Sequence, residues 1–184
     1  MPVDTQKEEI TGRILVIDDE PVIADTMAKI LRTAGHTVDT AISGREGVEI
    51  FAHHPHDVVL TDLRLGDMDG TEVLAEIKKI NPDTSVIIVT GYATTESAIE
   101  AIRLGANDYL TKPVRMSDLM MTIRRQLSAV MLEQQVRELN REVAVERDKL
   151  KRTVTELSLL KRLAERMMSA FSYIEGFDLI LNLL

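Results

Sequence analysis

Four short apolar stretches of this chain end in side chains that can do chemistry together. Arg13-Ile-Leu-Val-Ile-Asp18 runs into Asp19 and Glu20, and Asp57-Val-Val-Leu-Thr-Asp62 repeats that design. Ser85-Val-Ile-Ile-Val-Thr90 ends in a hydroxyl, and the weaker stretch Asn107–Thr111 leads into Lys112-Pro113. Continuous β-branched runs of this length suit strands buried on both faces of a parallel sheet. Ligands of open α/β sheets bind beyond the carboxyl ends of such strands. Carboxylates, a hydroxyl and an ammonium therefore converge on one edge. Crowded like charges are costly unless a cation neutralises them. Hard oxygens without Cys or His beside them select Mg²⁺ or Mn²⁺. Lys112 and Thr90 add donors suited to an anion, and metal beside anion is a phosphoryl-transfer arrangement. An aspartate can serve as its nucleophile, forming an acyl phosphate. Each residue alone has a plainer use: an acid pair at a helix start, a core threonine, a surface lysine. Their joint placement at strand ends overrides those uses.

The elements that must hold these groups alternate strictly. A weaker strand at His36–Ala41 brings the strands to five, and helical patterns lie between them at Val22–Ala34, Gly44–His53, Thr71–Ile80 and Thr94–Leu104. Gly35 and Gly105 stand where helix C-caps belong, and Ser43 and Thr94 are N-cap candidates. The alternation implies βαβ units with right-handed crossovers, a doubly wound α/β fold of (βα)₅ type.

The 184 residues suffice for one ordinary domain and an appendage. Apolar residues make up 45% of the chain, enough for a normal core. The absence of cysteine excludes disulfide scaffolds, zinc ribbons and thiol catalysis. No apolar run approaches a membrane span and no secretory signal is visible at residues 1–9, so the expectation is a cytoplasmic protein without membrane contact. Residues 1–131 carry the whole charge excess, 13 Lys/Arg against 21 Asp/Glu, whereas 132–184 carry nine of each. The acidic front repels phosphates, and no helix-turn-helix or basic helix follows, so no nucleic-acid contact is expected.

A last helix starts near Ser117, and no proline or glycine interrupts residues 114–175. From Leu132 a 3–4 spacing selects Val136, Leu139, Val143, Glu146, Leu150, Thr153, Leu157, Leu160, Ala164, Met167, Phe171 and Ile174. A heptad sustained this long argues a coiled coil, and Val at a with Leu at d favours a parallel homodimer. Glu142 and Glu156 at g would face Arg147 and Lys161 at e of a partner. Between Val130 and Leu132 the apolar phase slips, a point where coil winding can adjust. The expected division is a flexible arm over 1–11, a globular domain over 12–128, a coiled-coil helix over 129–174 and the start of another domain over 175–184.

Four motifs in order, Leu15-Val-Ile-Asp-Asp-Glu-Pro21, Leu60-Thr-Asp-Leu63 with Met68-Asp-Gly70, Val89-Thr-Gly-Tyr-Ala-Thr94 and Gly105-Ala-Asn-Asp-Tyr-Leu-Thr-Lys-Pro113, resemble the receiver domain of two-component response regulators, of the nitrogen-regulation type. The resemblance covers residues 13 to 128. It implies a flavodoxin-like five-stranded sheet in order 2-1-3-4-5. It also implies a phosphorelay function in which Asp62 takes phosphate from a histidine kinase or phosphotransfer protein, with no separate enzymatic substrate. Asp19 would bind Mg²⁺ or Mn²⁺ directly, Asp18 largely through water, and Asp62 and the Arg64 backbone carbonyl would add ligands. Lys112 and Thr90 would meet the phosphate, Lys112–Pro113 would be a cis peptide, and Tyr109 would report phosphorylation to the face built by the fourth helix, fifth strand and last helix. One departure stands out: Leu65-Gly66-Asp67 replaces the family's Met-Pro-Gly. Losing proline is expected to loosen that loop, and Asp67 to add negative charge near the pocket.

Other readings fit less well. Phosphatases with an aspartate nucleophile resemble a D-x-D pattern, but position 64 is Arg. A constitutive coiled-coil scaffold would leave the acid cluster unexplained. His53-His54-Pro55-His56 has no helical i, i+4 face for a metal. Leu157–Leu184 resembles the opening helix of a GAF sensory domain.

Overall fold

Alternate residues of the apolar stretches feed two different cores, which is why the strands read as continuous hydrophobic runs. The structure, a computed structural model, describes residues 10–91, 99 and 101–181, with side chains up to residue 168. The element order is β1 (Arg13–Ile17), α1 (Pro21–Thr33), β2 (Thr37–Ala41), α2 (Gly44–His53), β3 (Val58–Asp62), α3 (Gly70–Ile80), β4 (Ser85–Thr90) and β5 (Asp108–Thr111). A C-terminal helix follows over Met116–Leu181. Residues 101–103 are helical as well, and most of the fourth expected helix, with Thr94, lies outside the described residues.

The five strands form one parallel sheet in order β2-β1-β3-β4-β5. On one face Ile14, Val16, Val58, Leu60, Ile87 and Val89 pack with Ala24, Met27 and Leu31 of α1 and with Leu119, Ile123 and Leu127 of the C-terminal helix. On the other, Leu15, Ile17, Val59, Val86 and Ile88 pack with Phe51 of α2 and with Val73, Leu74 and Ile77 of α3. The doubly wound fold expected from the alternation is the fold found.

Local signals end the helices where expected. Gly35 and Gly105 adopt φ of +88° and +97°, the left-handed conformation that only glycine takes without strain. Ser43 Oγ accepts the Glu46 amide at 3.2 Å while Glu46 Oε2 accepts the Ile42 amide at 2.8 Å, two reciprocal bonds that start α2. Pro21 at the first position of α1 needs no amide partner.

Two compact units divide at residues 133 and 134. In the first, burial along the C-terminal helix continues to Val130. Gln126 secures it there, accepting from Ser85 Oγ at 3.0 Å. In the second, the helix continues across Gly176 to Leu181, since one glycine costs a helix only about 1 kcal/mol. Its heptad residues Leu139, Val143, Leu150, Leu157 and Leu160 are about 60% exposed. Among the described residues no helix is long and apolar enough to cross a membrane.

Candidate functional site

The parallel strands present their last residues on one edge, and the crossovers deliver the remaining groups there. Asp18 and Asp19 follow β1, Asp62 is the last residue of β3, Thr90 the last of β4, and Lys112 follows β5. Carboxylate oxygens of Asp18, Asp19 and Asp62 all lie within 4.8 Å of one another. Lys112 Nζ sits 2.7 Å from Asp18 Oδ2 and 2.5 Å from Asp62 Oδ2. Three formal negative charges thus face one positive charge. Asp18 is fully buried, Asp62 nearly so, and Asp19 is exposed. The set is all oxygen, with one water-facing carboxylate and a charge deficit of two, and it fits a hard divalent cation.

The lysine is tuned by the same contacts. Burial alone would lower its pKa, but its hydrogen bonds to Asp18 and Asp62, with their charges, outweigh burial and hold it above the ordinary 10.5. It therefore stays an ammonium throughout the physiological range.

Backbone contacts fix where the carboxylates point. Asp18 Oδ1 accepts the Glu20 amide at 3.0 Å, and Asp62 Oδ1 accepts the Arg64 amide at 3.1 Å. The Leu63 amide bonds the Val89 carbonyl at 3.0 Å and the Lys112 amide bonds the Thr90 carbonyl at 2.8 Å, so β3, β4 and the segment after β5 meet at one level. Thr90 is buried beside them. Lys112–Pro113 is cis, as the resemblance implies. Tyr109 lies in β5, opposite Ile88 of β4, and is partly buried against the core shared with α2 and α3.

The loop after Asp62 departs from one of the expectations placed on it. Rather than being left loose by the loss of proline, it is tied at several points. Arg64 and Asp69 pair across it as an antiparallel bridge, the Gly70 amide bonds the Leu63 carbonyl at 2.9 Å, and Leu65 is buried. Asp67 does not stand as an uncompensated charge. Its Oδ1 accepts the Gly44 amide at 2.9 Å and its Oδ2 the Arg45 amide at 3.0 Å, at the start of α2. The Arg45 amide bond, joined by that from Gly44, holds its pKa below the usual aspartate value. Gly70 passes so close to Asp62 that a Cβ would fall 2.2 Å from the Asp62 carbonyl oxygen.

Sequence reasoning placed the acids and the lysine but missed the Asp67 contact and the steric demand on Gly70. It also missed a polar junction at the opposite edge. Lys78 Nζ donates to the Thr84 carbonyl at 2.8 Å and to Asn107 Oδ1 at 3.0 Å, while Asn107 Oδ1 also accepts the Val86 amide at 3.0 Å. The histidine run does not assemble a metal centre: His53 and His54 are exposed, whereas the His56 ring is buried, its Nε2 2.8 Å from Asp39 Oδ2.

Comparison with known proteins gives one consistent answer. The model of the response regulator receiver domain family matches residues 14–124. The transcriptional regulatory protein ZraR of Escherichia coli (strain K12) is 40% identical over 115 residues, 62% of this chain and 26% of ZraR. The regulatory protein AtoC of the same strain is 35% identical over 129 residues, 70% of this chain and 28% of AtoC. The chain thus spans roughly a quarter of the length of these curated relatives. Among solved structures, a CheY-like receiver domain protein from Methanospirillum hungatei JF-1 has a TM-score of 0.63 at 36% identity, covering 66% of this chain and 97% of that one. NtrX from Brucella abortus has a TM-score of 0.67 at 34% identity, covering 70% of this chain and 30% of NtrX.

Proposed function

The chain belongs to the response regulator receiver domain family, and on that premise we propose that Asp62 accepts a phosphoryl group from a histidine kinase or phosphotransfer protein and that the chain acts as a phosphorylation switch. The observation that carries this reading is the meeting of Asp18, Asp19, Asp62 and Lys112 at the strand ends, three carboxylates of which two are bridged by one ammonium.

In the transfer, an Asp62 oxygen attacks phosphorus while the bond from phosphorus to the donor's imidazole nitrogen breaks. The imidazole leaves with the bonding pair and takes a proton, and Asp62 becomes an acyl phosphate. Asp18, Asp19 and Asp62, with the Arg64 carbonyl, would hold Mg²⁺ or Mn²⁺, which would supply the charge neutralisation that lets two anions approach. Lys112, already bridging Asp18 and Asp62, is placed to follow charge onto the phosphoryl oxygens. Thr90 offers a hydroxyl to one of those oxygens, and Tyr109 on β5 would report the change to the face built by the fourth helix, β5 and the C-terminal helix. The chain has no other substrate; it promotes its own phosphorylation and hydrolysis.

The donor is a macromolecule of the same cellular compartment, the cytoplasm. Beside Lys112 an apolar groove lined by Val22, Ile23, Ile30, Pro113 and Val114 offers a protein partner a surface next to the reacting carboxylate. The exposed heptad residues of the second unit support a parallel homodimer through residues 132–174, with phosphorylation changing receiver packing or coil register. Neither nucleic acid nor membrane is assigned to these residues.

The test is phosphate incorporation from acetyl phosphate with Mg²⁺, in the wild-type chain and in Asp62→Asn. Incorporation is expected in the first and absent in the second. Equal incorporation in both would overturn the assignment.

A further inference from the structure

The exposed Asp67 sits on the loop that carries the phosphoacceptor, yet both its oxygens are spent on another element. Gly44 and Arg45 are the first residues of α2, whose opening amides have no partner within the helix. Ser43 Oγ takes the Glu46 amide, and Asp67 takes the two before it. The second cap therefore comes from a residue 23 positions away in sequence. A carboxylate against a helix N-terminus is held by hydrogen bonds and by the helix dipole together.

From Asp67 the path to the pocket is short. Arg64 and Asp69 pair across the loop, so its tip and its base form one closed piece. The Arg64 amide at that base holds Asp62 Oδ1 at 3.1 Å. Beside Asp67, Met68 covers Gly44 so closely that a Cβ on Gly44 would fall 2.3 Å from Met68 Cγ. Loop tip and helix start are thus apposed through side chain and backbone alike. Gly66, by contrast, has no atom within 4 Å of where its Cβ would stand.

We propose that Asp67 is a positioning residue for the phosphoacceptor loop: by latching the loop tip to the first turn of α2, it holds Asp62 and the Arg64 backbone in the arrangement that binds the metal ion. The inference rests on the reading of Asp18, Asp19 and Asp62 as a metal pocket. It assigns to Asp67 the restraint that proline would otherwise give this loop. A loop that samples unlatched arrangements binds metal only in its latched fraction, so apparent affinity falls with that fraction. The coupling is reciprocal: metal must strengthen the latch as much as the latch strengthens metal binding.

The test compares wild-type, Asp67→Ala, Asp67→Asn and Ser43→Ala full-length chains. Mn²⁺ affinity is read by electron paramagnetic resonance, and exchange of the Gly44 and Arg45 amides is followed by NMR with and without Mg²⁺. Asp67→Ala is expected to weaken Mn²⁺ binding by up to about fivefold, the ceiling set by the equilibrium equivalent of one lost helix cap. Asp67→Asn, which keeps one acceptor oxygen, should fall between. Ser43→Ala removes a cap from the same helix end without touching the loop and should bind Mn²⁺ like wild-type. Mg²⁺ should slow exchange of the Gly44 and Arg45 amides in wild-type and not in Asp67→Ala. Equal Mn²⁺ affinity in wild-type and Asp67→Ala would overturn the inference, as would a Ser43→Ala loss matching that of Asp67→Ala. Slowing by Mg²⁺ that persists in Asp67→Ala would overturn it too. A wild-type chain that binds no Mn²⁺ would instead overturn the metal-pocket reading on which it rests.

Discussion

Gly70→Ala probes the site through its backbone. Gly70 opens α3, and a Cβ there would lie 2.2 Å from the Asp62 carbonyl oxygen and 3.0 Å from Leu63 Cα. These obstacles are main chain and cannot swing aside as a side-chain tip would. Reaching ordinary van der Waals separation requires a relative shift of roughly 1 Å between the start of α3 and the end of β3. Forcing a methyl group into packed structure costs about 1–3 kcal/mol. Alanine's lower chain entropy in the unfolded state returns about 0.4–1 kcal/mol. The net expectation is a loss of about 1–2 kcal/mol, or a melting point lower by roughly 3–10 °C for a domain of this size. The same shift moves the Asp62 carboxylate away from Lys112, and a misplacement on that scale slows a positioned reaction by about a hundredfold. Urea unfolding and the initial rate of phosphate uptake from acetyl phosphate measure the two effects. Gly66→Ala is the control: its Cβ meets nothing within 4 Å and its φ is not positive, so stability and rate should stay at wild-type or rise slightly. A Gly70→Ala chain matching Gly66→Ala in both assays would refute the steric argument.

Three further outcomes follow from the same geometry. Lys112→Ala leaves three carboxylates without their cation; it should lose about 2–3 kcal/mol without metal and gain more from added Mg²⁺ than wild-type does, so equal Mg²⁺-induced shifts in melting temperature would contradict the charge balance. His56 and His36 are both held below the ordinary 6.5 chiefly by burial, with Asp39 only partly opposing it at His56, so the unfolded chain binds more protons than the native one in mild acid. Stability should therefore be intact above 6.5 and fall as pH drops through that value, and His56→Gln should flatten urea midpoints measured between about pH 7 and pH 5. Glu146→Leu fills a polar d position in the heptad and should strengthen the proposed dimer by about 1 kcal/mol per chain; sedimentation at micromolar concentration checks it, and a full-length chain that is monomeric there would remove the dimer.

The acids and the lysine could be located from sequence because a parallel sheet puts every strand's carboxyl end on one edge. Once Ile17, Asp62, Thr90 and Thr111 are read as the ends of strands, the groups at or just after them must converge whatever the loops do. Helix ends at Gly35 and Gly105 and the cap at Ser43 were legible for a related reason, since each depends on a few neighbouring residues; the strand order followed from the resemblance to receiver domains. The loop after Asp62 obeys no such rule. Read locally, Gly66 in place of proline means freedom and Asp67 means surplus charge. The contact with Gly44 and Arg45 restrains the loop and engages that charge, and local reading misses it because the amides that receive Asp67 belong to a helix start 22 and 23 residues earlier in the chain. The same limit hid Gly70, a helix-opening glycine by sequence and a point of close backbone approach to Asp62 in three dimensions. In the C-terminal helix the periodicity was legible, and its heptad leucines stand exposed. What sequence conveys best here is the chemistry carried on the sheet, and what it conveys least is the restraint imposed by contacts between loops and helix ends. On the proposed reading that division has a functional consequence: Asp62 and Lys112 would determine whether phosphoryl transfer can occur, and Asp67 and Gly70, which tie or crowd the backbone between β3 and α3, would determine how well the site is held for it.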